Sequence, residues 1–355
     1  MNIMKLINKK AKSFVSILLI FTIIMTFITG CSSNSVETSK EPDEPKTKII
    51  TDSFGRQVEI PTKIEKVVNV GAVGVLNCFV FAMGEGDKIA NNLPPRFQSH
   101  TWRYHTIMYP SISEKPMGQE VEEVLEINPD IVLTMDKKTA EDFSQKGLKV
   151  IALNWEDAED VKEVVKILGE VFDKPEIVEE YIKYFDETME KVANITSKIP
   201  EDKKVTVLSS SIQGLSLGHV ISEWWIEAAG GISVSKDIRQ NEQANQYSIE
   251  QLLSWNPEVI IVSSEKDIDE TYKDERFKNI KAVKNKRIYA GPSFGHKWLN
   301  RTIEQPLTVL WAAKSIYPEE FKDINMYEEL KYFSKKFFRY DLSDEECKEI
   351  LGDMK

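Results

Sequence analysis

The residues in this chain best suited to holding a ligand are its four histidines, His100, His105, His219 and His296, together with Arg96, Arg103 and Arg301. Aromatic side chains stand among them: Trp102, Tyr104, Phe294 and Trp298. An arginine grips a carboxylate or oxyanion through a bidentate fork, and an aromatic ring stacks on a planar ligand or a cation. Imidazole can ligate a transition metal or complete the open positions of a metal complex. The spacing gives no zinc signature, and no His-Glu-x-x-His occurs. Nor is there a Gly-x-Ser-x-Gly elbow or a glycine-rich phosphate loop ending in Lys-Ser/Thr, so the familiar hydrolytic and nucleotide chemistries find no footing. Any one of these histidines alone is more simply a surface or hydrogen-bonded residue. What groups them is where the chain is expected to put them.

That placement follows from a stretch present twice. Val121 to Leu133 recurs as Ile249 to Ile261 at a constant offset of 128 residues, Glu122 matching Glu250. Each copy reads as a short helix stopped by Asn-Pro, then an apolar β-branched run suited to a strand of a parallel sheet. Proline cannot continue a helix, and the residue before it is expected to be extended. Two such units predict an α/β chain of two similar lobes with a cleft between them. Further strands are expected at 66–71, 149–153, 204–209 and 286–290, with helices at 73–83, 223–229 and 305–317. Residues 49–61, with Ser53-Phe54-Gly55-Arg56 at a turn, suggest a hairpin. The segments 161–172 and 175–197 are strongly helical, broken only at Asp173-Lys174-Pro175. The second would span roughly 35 Å and join the lobes as a strut that resists hinge motion.

In open α/β lobes ligands sit beyond the carboxyl ends of the strands. The loops expected there are 71–74, 91–118, 135–139, 209–219, 263–269 and 291–301, and they hold every residue named at the outset. The long aperiodic excursion at 91–118 is where specificity is expected to reside. Glu122 and Glu250 fall at the first turn of the two matched helices. Helix capping explains an acid there, Ser248 to Gln251 having the form of a capping box. A docking role is the alternative.

The first thirty residues are an address rather than fold. Lys5, Lys9, Lys10 and Lys12 precede an apolar run from Phe14 to Ile28, and Ile28-Thr29-Gly30-Cys31 follows. This is a secretory signal whose end resembles a bacterial lipobox, with Cys31 lipidated as the mature N-terminus. Residues 31–48 are polar and read as a flexible tether. Cys78 and Cys347 are expected not to pair, Cys78 being a small buried hydrophobe. The net charge of −11 argues against nucleic acid and against a polybasic membrane surface.

The lipobox, Ile50 to Arg56, the two Glu-x-x-Leu-x-x-Asn-Pro units, Ala228-Ala229-Gly230-Gly231 and Trp311 to Pro318 together resemble the substrate-binding proteins of ABC importers for ferric siderophores, haem and cobalamin. The likeness runs from about Ile49 to Tyr340. It implies two Rossmann-like lobes with central parallel sheets, residues 49–156 and 200–355, the second with a helical tail. A rigid interdomain helix within 157–199 joins them. It also implies that Glu122 and Glu250 meet arginines on a permease served by an ATPase. The expected protein is a monomeric, lipid-anchored, extracytoplasmic binding protein without enzymatic activity. Its ligand would be an iron complex, haem or a corrinoid, carrying its own iron or cobalt, with no resident cofactor. The alternative is an oxyanion such as molybdate or tungstate, or a transition-metal ion held by the four histidines.

Overall fold

Two parallel sheets stand where the duplicated unit places them in the computed structural model, which describes residues 46–99, 102–218, 223–238 and 246–354. The signal segment, Cys31, His100 and His219 lie outside the described residues. The chain enters through an antiparallel hairpin, β1 (Thr47–Thr51) and β2 (Gln57–Pro61). Gly55 supplies the left-handed position at its turn, with φ of 75°. The Asp52 carboxylate holds the turn and accepts the Ala152 amide at 3.1 Å, tying the hairpin to the first sheet.

The first sheet has the order β3 (Val67–Val70), β4 (Ile131–Thr134), β5 (Val150–Ala152). Around it lie α1 (Val73–Ala82), α2 (Arg103–Met108), α3 (Val121–Ile127) and α4 (Lys137–Gln145). Helices α5 (Ala158–Phe172) and α6 (Pro175–Thr196) lead to the second half. There β6 (Thr206–Ser209), α7 (Trp224–Ala228), β7 (Ile232–Ser233), α8 (Ile249–Trp255), β8 (Val259–Val262), α9 (Glu265–Lys273), α10 (Lys281–Lys284) and β9 (Ile288–Ala290) build a sheet of order β7-β6-β8-β9. The chain closes with α11 (Gln305–Ile316), α12 (Met326–Phe333) and α13 (Asp344–Leu351).

Both sheets are covered on both faces, which is why β4 and β8 are apolar at nearly every position. Ile131, Leu133, Val259 and Ile261 face one hydrophobic cluster common to the two halves, with Trp155, Tyr181, Trp225 and Trp311. Val132 faces a smaller cluster with Val124 and Phe143, and Ile260 another with Leu252 and Phe277. A core continuous across both halves resists hinge opening. The 22 residues of α6 span about 33 Å, and the Tyr181 hydroxyl donates to the Ile303 carbonyl at 2.6 Å. The tail crosses back to the first half, where the Arg339 guanidinium donates to the Phe81 carbonyl at 3.2 Å.

Three expectations are corrected. Asn128 and Asn256, before the two prolines, are left-handed (φ 51° and 44°) rather than extended. Asparagine tolerates that region, and it ends each helix while still avoiding the right-handed conformation proline disfavours. The 91–118 excursion is not devoid of structure, since α2 lies within it. Expected loops 135–139 and 263–269 contain helix starts capped by Asp136 and Ser264. The duplication also extends to the acid after each proline. Asp130 accepts the amides of Glu65 and Lys66, at 2.7 and 2.9 Å. Glu258 accepts the Thr206 amide at 3.1 Å, so each acid fastens the start of the neighbouring strand.

Candidate ligand-binding site

Two loops meet at the mouth: the excursion after β3 and the 291–301 loop after β9. The Trp102 indole N–H donates to His296 Nδ1 at 3.0 Å, and the His105 Nε2–H donates to the Gly295 carbonyl at 2.8 Å. Because Nδ1 of His296 accepts, its proton resides on Nε2. That Nε2 is buried and has no partner among the described residues. The same is true of Arg301 Nε. Arg301 is the one described arginine whose side chain makes no hydrogen bond. Its charge lies close enough to help depress the His296 pKa, which burial chiefly lowers to about 3. Burial also lowers the Arg301 pKa.

More positive charge lines this mouth. Lys297 Nζ stands 5.7 Å from the Trp102 ring centroid, within reach of a cation–π contact. Arg96 is exposed and donates to the Gly71 carbonyl at the end of β3, at 2.5 Å. None of Arg96, Lys297 and Arg301 has a carboxylate partner among the described residues, whereas Arg103 pairs with Glu349 at 2.7 Å. A buried donor without an acceptor costs about 1–3 kcal/mol; the indole N–H groups of Trp155 and Trp225 in the core share that state with His296 and Arg301.

One buried acid shapes the loop. Glu304, fully buried, accepts the amides of Gly295 (3.2 Å) and His296 (2.7 Å), the Trp298 indole N–H (2.8 Å) and the Thr302 hydroxyl (3.0 Å). Burial pushes its pKa up to about 7, against four donors that favour the ionised form. Gln305 adds a bond from its amide to the Asn300 carbonyl at 2.6 Å, beside Arg301.

The expected site residues therefore divide. Trp102 meets His296, the charge of Arg301 reaches His296, and Arg96 donates to the Gly71 carbonyl. Trp298 and Tyr104 are core residues, the first bound to Glu304 and the second packed on Phe294 at 4.8 Å between ring centroids. Arg103 bridges to the tail through Glu349. His105 is a structural histidine. Its Nδ1 accepts from Asn77 at 3.3 Å, and Asn77 in turn accepts from Asn69 at 2.7 Å. Burial holds the His105 pKa near 4. Both of its ring nitrogens are engaged, and Trp102 holds Nδ1 of His296. Among the described residues no three His, Cys, Asp or Glu side chains converge for a metal ion. Lys297 and Glu304 were not singled out from the sequence. A recess of about 410 Å³ lies nearby, lined by Tyr289, Ser293, Trp311 and Arg103 among others. Neither His296 nor Arg301 lines it.

Glu122 and Glu250 are exposed on α3 and α8. On α3 the capping box is formed by Glu120 and Glu123, leaving Glu122 free of that duty. On α8 the Ser248 hydroxyl accepts the Gln251 amide at 3.1 Å. The Glu250 carboxylate is held below its usual range by its own amide and by Ser248. Cys78 and Cys347 are buried and not bridged. No helix among the described residues is long and apolar enough to cross a membrane.

Comparison with known proteins places this architecture. The model of the family described as periplasmic binding protein matches residues 90–293. The molybdate-binding protein MolA of Haemophilus influenzae is 22% identical over 348 residues, covering 89% of this chain and 97% of that protein. A periplasmic solute binding protein from Veillonella parvula superposes with a TM-score of 0.74 at 25% identity, over 86% of this chain and 97% of that one. Helicobacter pylori CeuE with Ni(II) bound gives a TM-score of 0.68 at 19% identity, over 85% and 99%.

Proposed function

Because this chain belongs to the periplasmic binding protein family, the extracytoplasmic solute-binding components of ABC importers, we propose that it captures a small oxyanion at the mouth between its sheets and hands it to a membrane permease with its ATPase. The observation that carries the reading is the pair of buried N–H donors without acceptors, His296 Nε2 and Arg301 Nε. Arg96 and Lys297 add charge at the rim without carboxylates to neutralise it. A neutral imidazole N–H within the field of a guanidinium suits a tetrahedral anion of the molybdate, tungstate or sulfate kind, whose oxygens only accept. MolA, related over nearly the whole chain, is a molybdate-binding protein, which agrees in class.

An anionic metal complex, a ferric siderophore, haem or a corrinoid, is the second reading. The Trp102 and Phe97 rings beside Arg96 favour it, since they offer a flat apolar and cationic wall. The 3.0 Å contact between Trp102 and His296 works against it, because a large complex must break that bridge. In either case the protein brings no resident cofactor and acts by binding alone. Cys31 serves as its lipid anchor, and Glu122 and Glu250 dock it, as a monomer, on the permease.

Isothermal titration of the purified protein with molybdate, tungstate, sulfate, haemin and a ferric catecholate siderophore tests the reading. Saturable one-to-one binding of a tetrahedral oxyanion is expected. Tight binding of only haemin or the ferric complex would overturn it in favour of the second.

A further inference from the structure

The duplicated unit leaves one leucine on the surface of each half. Leu125 on α3 is 45% exposed and Leu253 on α8 is 44% exposed. Their offset is the same 128 residues that separates Glu122 from Glu250. Single exposed apolar residues are ordinary, but two at one register of both copies, equally exposed, are not scatter. In each helix the leucine follows the glutamate by three positions, so the two side chains share a face. The inner face is occupied by Val124 and Leu252, both fully buried.

Each couple also sits near the carboxyl end of the first strand of its sheet. Three residues before each glutamate, a side chain grips the loop that leaves the first strand of its sheet. Gln119 accepts the Gly71 amide at 3.1 Å, and the Tyr247 hydroxyl shares a proton with the Ser210 hydroxyl at 2.5 Å. The surfaces carrying Glu122–Leu125 and Glu250–Leu253 thus lie at the same edge of their sheets, that of the strand carboxyl ends.

We propose that Leu125 and Leu253 form the apolar half of a duplicated docking surface, each seated in a hydrophobic recess of the permease while the neighbouring glutamate meets a basic residue beside it. The inference rests on the permease-docking reading given above. The occupant follows from symmetry and charge. Two matched patches fit a partner that presents the same recess twice, as a dimeric permease does. A second copy of this chain would set glutamates against glutamates. A lipid surface rich in anionic headgroups would repel them as well.

The test uses full-length protein and its cognate permease–ATPase complex in nanodiscs, with binding followed at low and high ionic strength. Wild type is compared with Leu125→Ser, Leu253→Ser, the double serine variant, and Glu122→Gln with Glu250→Gln. About half of each leucine remains to be buried, so each serine should weaken binding about fivefold and the pair about 25-fold. That loss should be equal at both salt concentrations, whereas the loss from the glutamine pair should shrink at high salt. Melting temperature and ligand affinity should match wild type throughout. If the serine pair binds like wild type while the glutamine pair binds weakly, the leucine proposal falls and glutamate docking stands. If wild type itself fails to bind, or the glutamine pair binds undiminished, the docking reading falls and takes the proposal with it. Self-association abolished by the serine substitutions would also overturn the proposal, by giving the leucines to a second copy.

Discussion

Replacing Arg301 with alanine separates a ligand-binding arginine from a structural one. In the ligand-free protein the side chain makes no hydrogen bond among the described residues, and burial disfavours its charge. Removing it therefore breaks no hydrogen bond, and the ligand-free melting temperature should stay the same or rise slightly. In the complex, a hydrogen bond to a charged partner is worth about 1.5–3 kcal/mol, or roughly 10- to 150-fold in affinity. The assay is thermal melting with and without the oxyanion, alongside titration calorimetry. At a ligand concentration of about 100 times the wild-type Kd, wild type gains about 2.7 kcal/mol of stability. A variant weakened about a hundredfold gains only about 0.4 kcal/mol under the same conditions. Arg301→Ala with His296→Ala should remove the ligand-induced shift altogether. Undiminished affinity in that double variant would refute the placement of the site, and a lower ligand-free melting temperature in Arg301→Ala would refute the claim that the side chain waits unpaired.

Acidification from pH 7 to 4 should lower the melting temperature. The stabilisation that His105 and His296 give as neutral groups is complete above about pH 6.5 and lost as pH falls toward their folded values of about 4 and 3. Glu304 works in the opposite sense between pH 4.5 and about 7, keeping a proton that the unfolded chain releases. The two histidine shifts together outweigh it, and Glu304→Gln should make the fall steeper, so a flat melting profile would contradict neutral buried imidazoles. Glu122→Gln with Glu250→Gln should leave ligand affinity unchanged and abolish ligand-stimulated ATPase activity in reconstituted transporter; full activity would reduce both to helix caps. Cys31→Ser should release the protein from membranes or leave its precursor uncleaved, and normal processing with membrane retention would remove the lipid anchor.

Much of this was legible before any coordinates because duplication amplifies a weak signal. One helix-Asn-Pro-strand unit is commonplace, but two in register located β4 and β8 and implied two lobes with a cleft between them. Helices α4 and α9 escaped because Lys137 to Gln145 and Glu265 to Lys273 are strongly polar and pack few residues, leaving little apolar period to read. The Ser264-x-x-Asp267 cap was the available clue. Residue type alone could not sort the mouth residues, since His105 and His296 are both buried and neutral. Only the Asn69–Asn77–His105 chain marks the first as structural, and the missing acceptor sets the second apart from it. Glu304 stands ahead of Gln305-Pro306 like an ordinary acid at the start of a helix. Its burial, and with it the order of the 295–302 loop, arises from long-range packing that no local pattern encodes.

Tungstate bound to the protein reports its own position through anomalous scattering. Crystals grown with tungstate and measured at the tungsten edge should show one strong peak at the mouth, with oxygens within hydrogen-bonding distance of His296 Nε2 and the Arg301 guanidinium. A peak elsewhere on the protein, or none under conditions where the ion saturates the protein in solution, would contradict that placement.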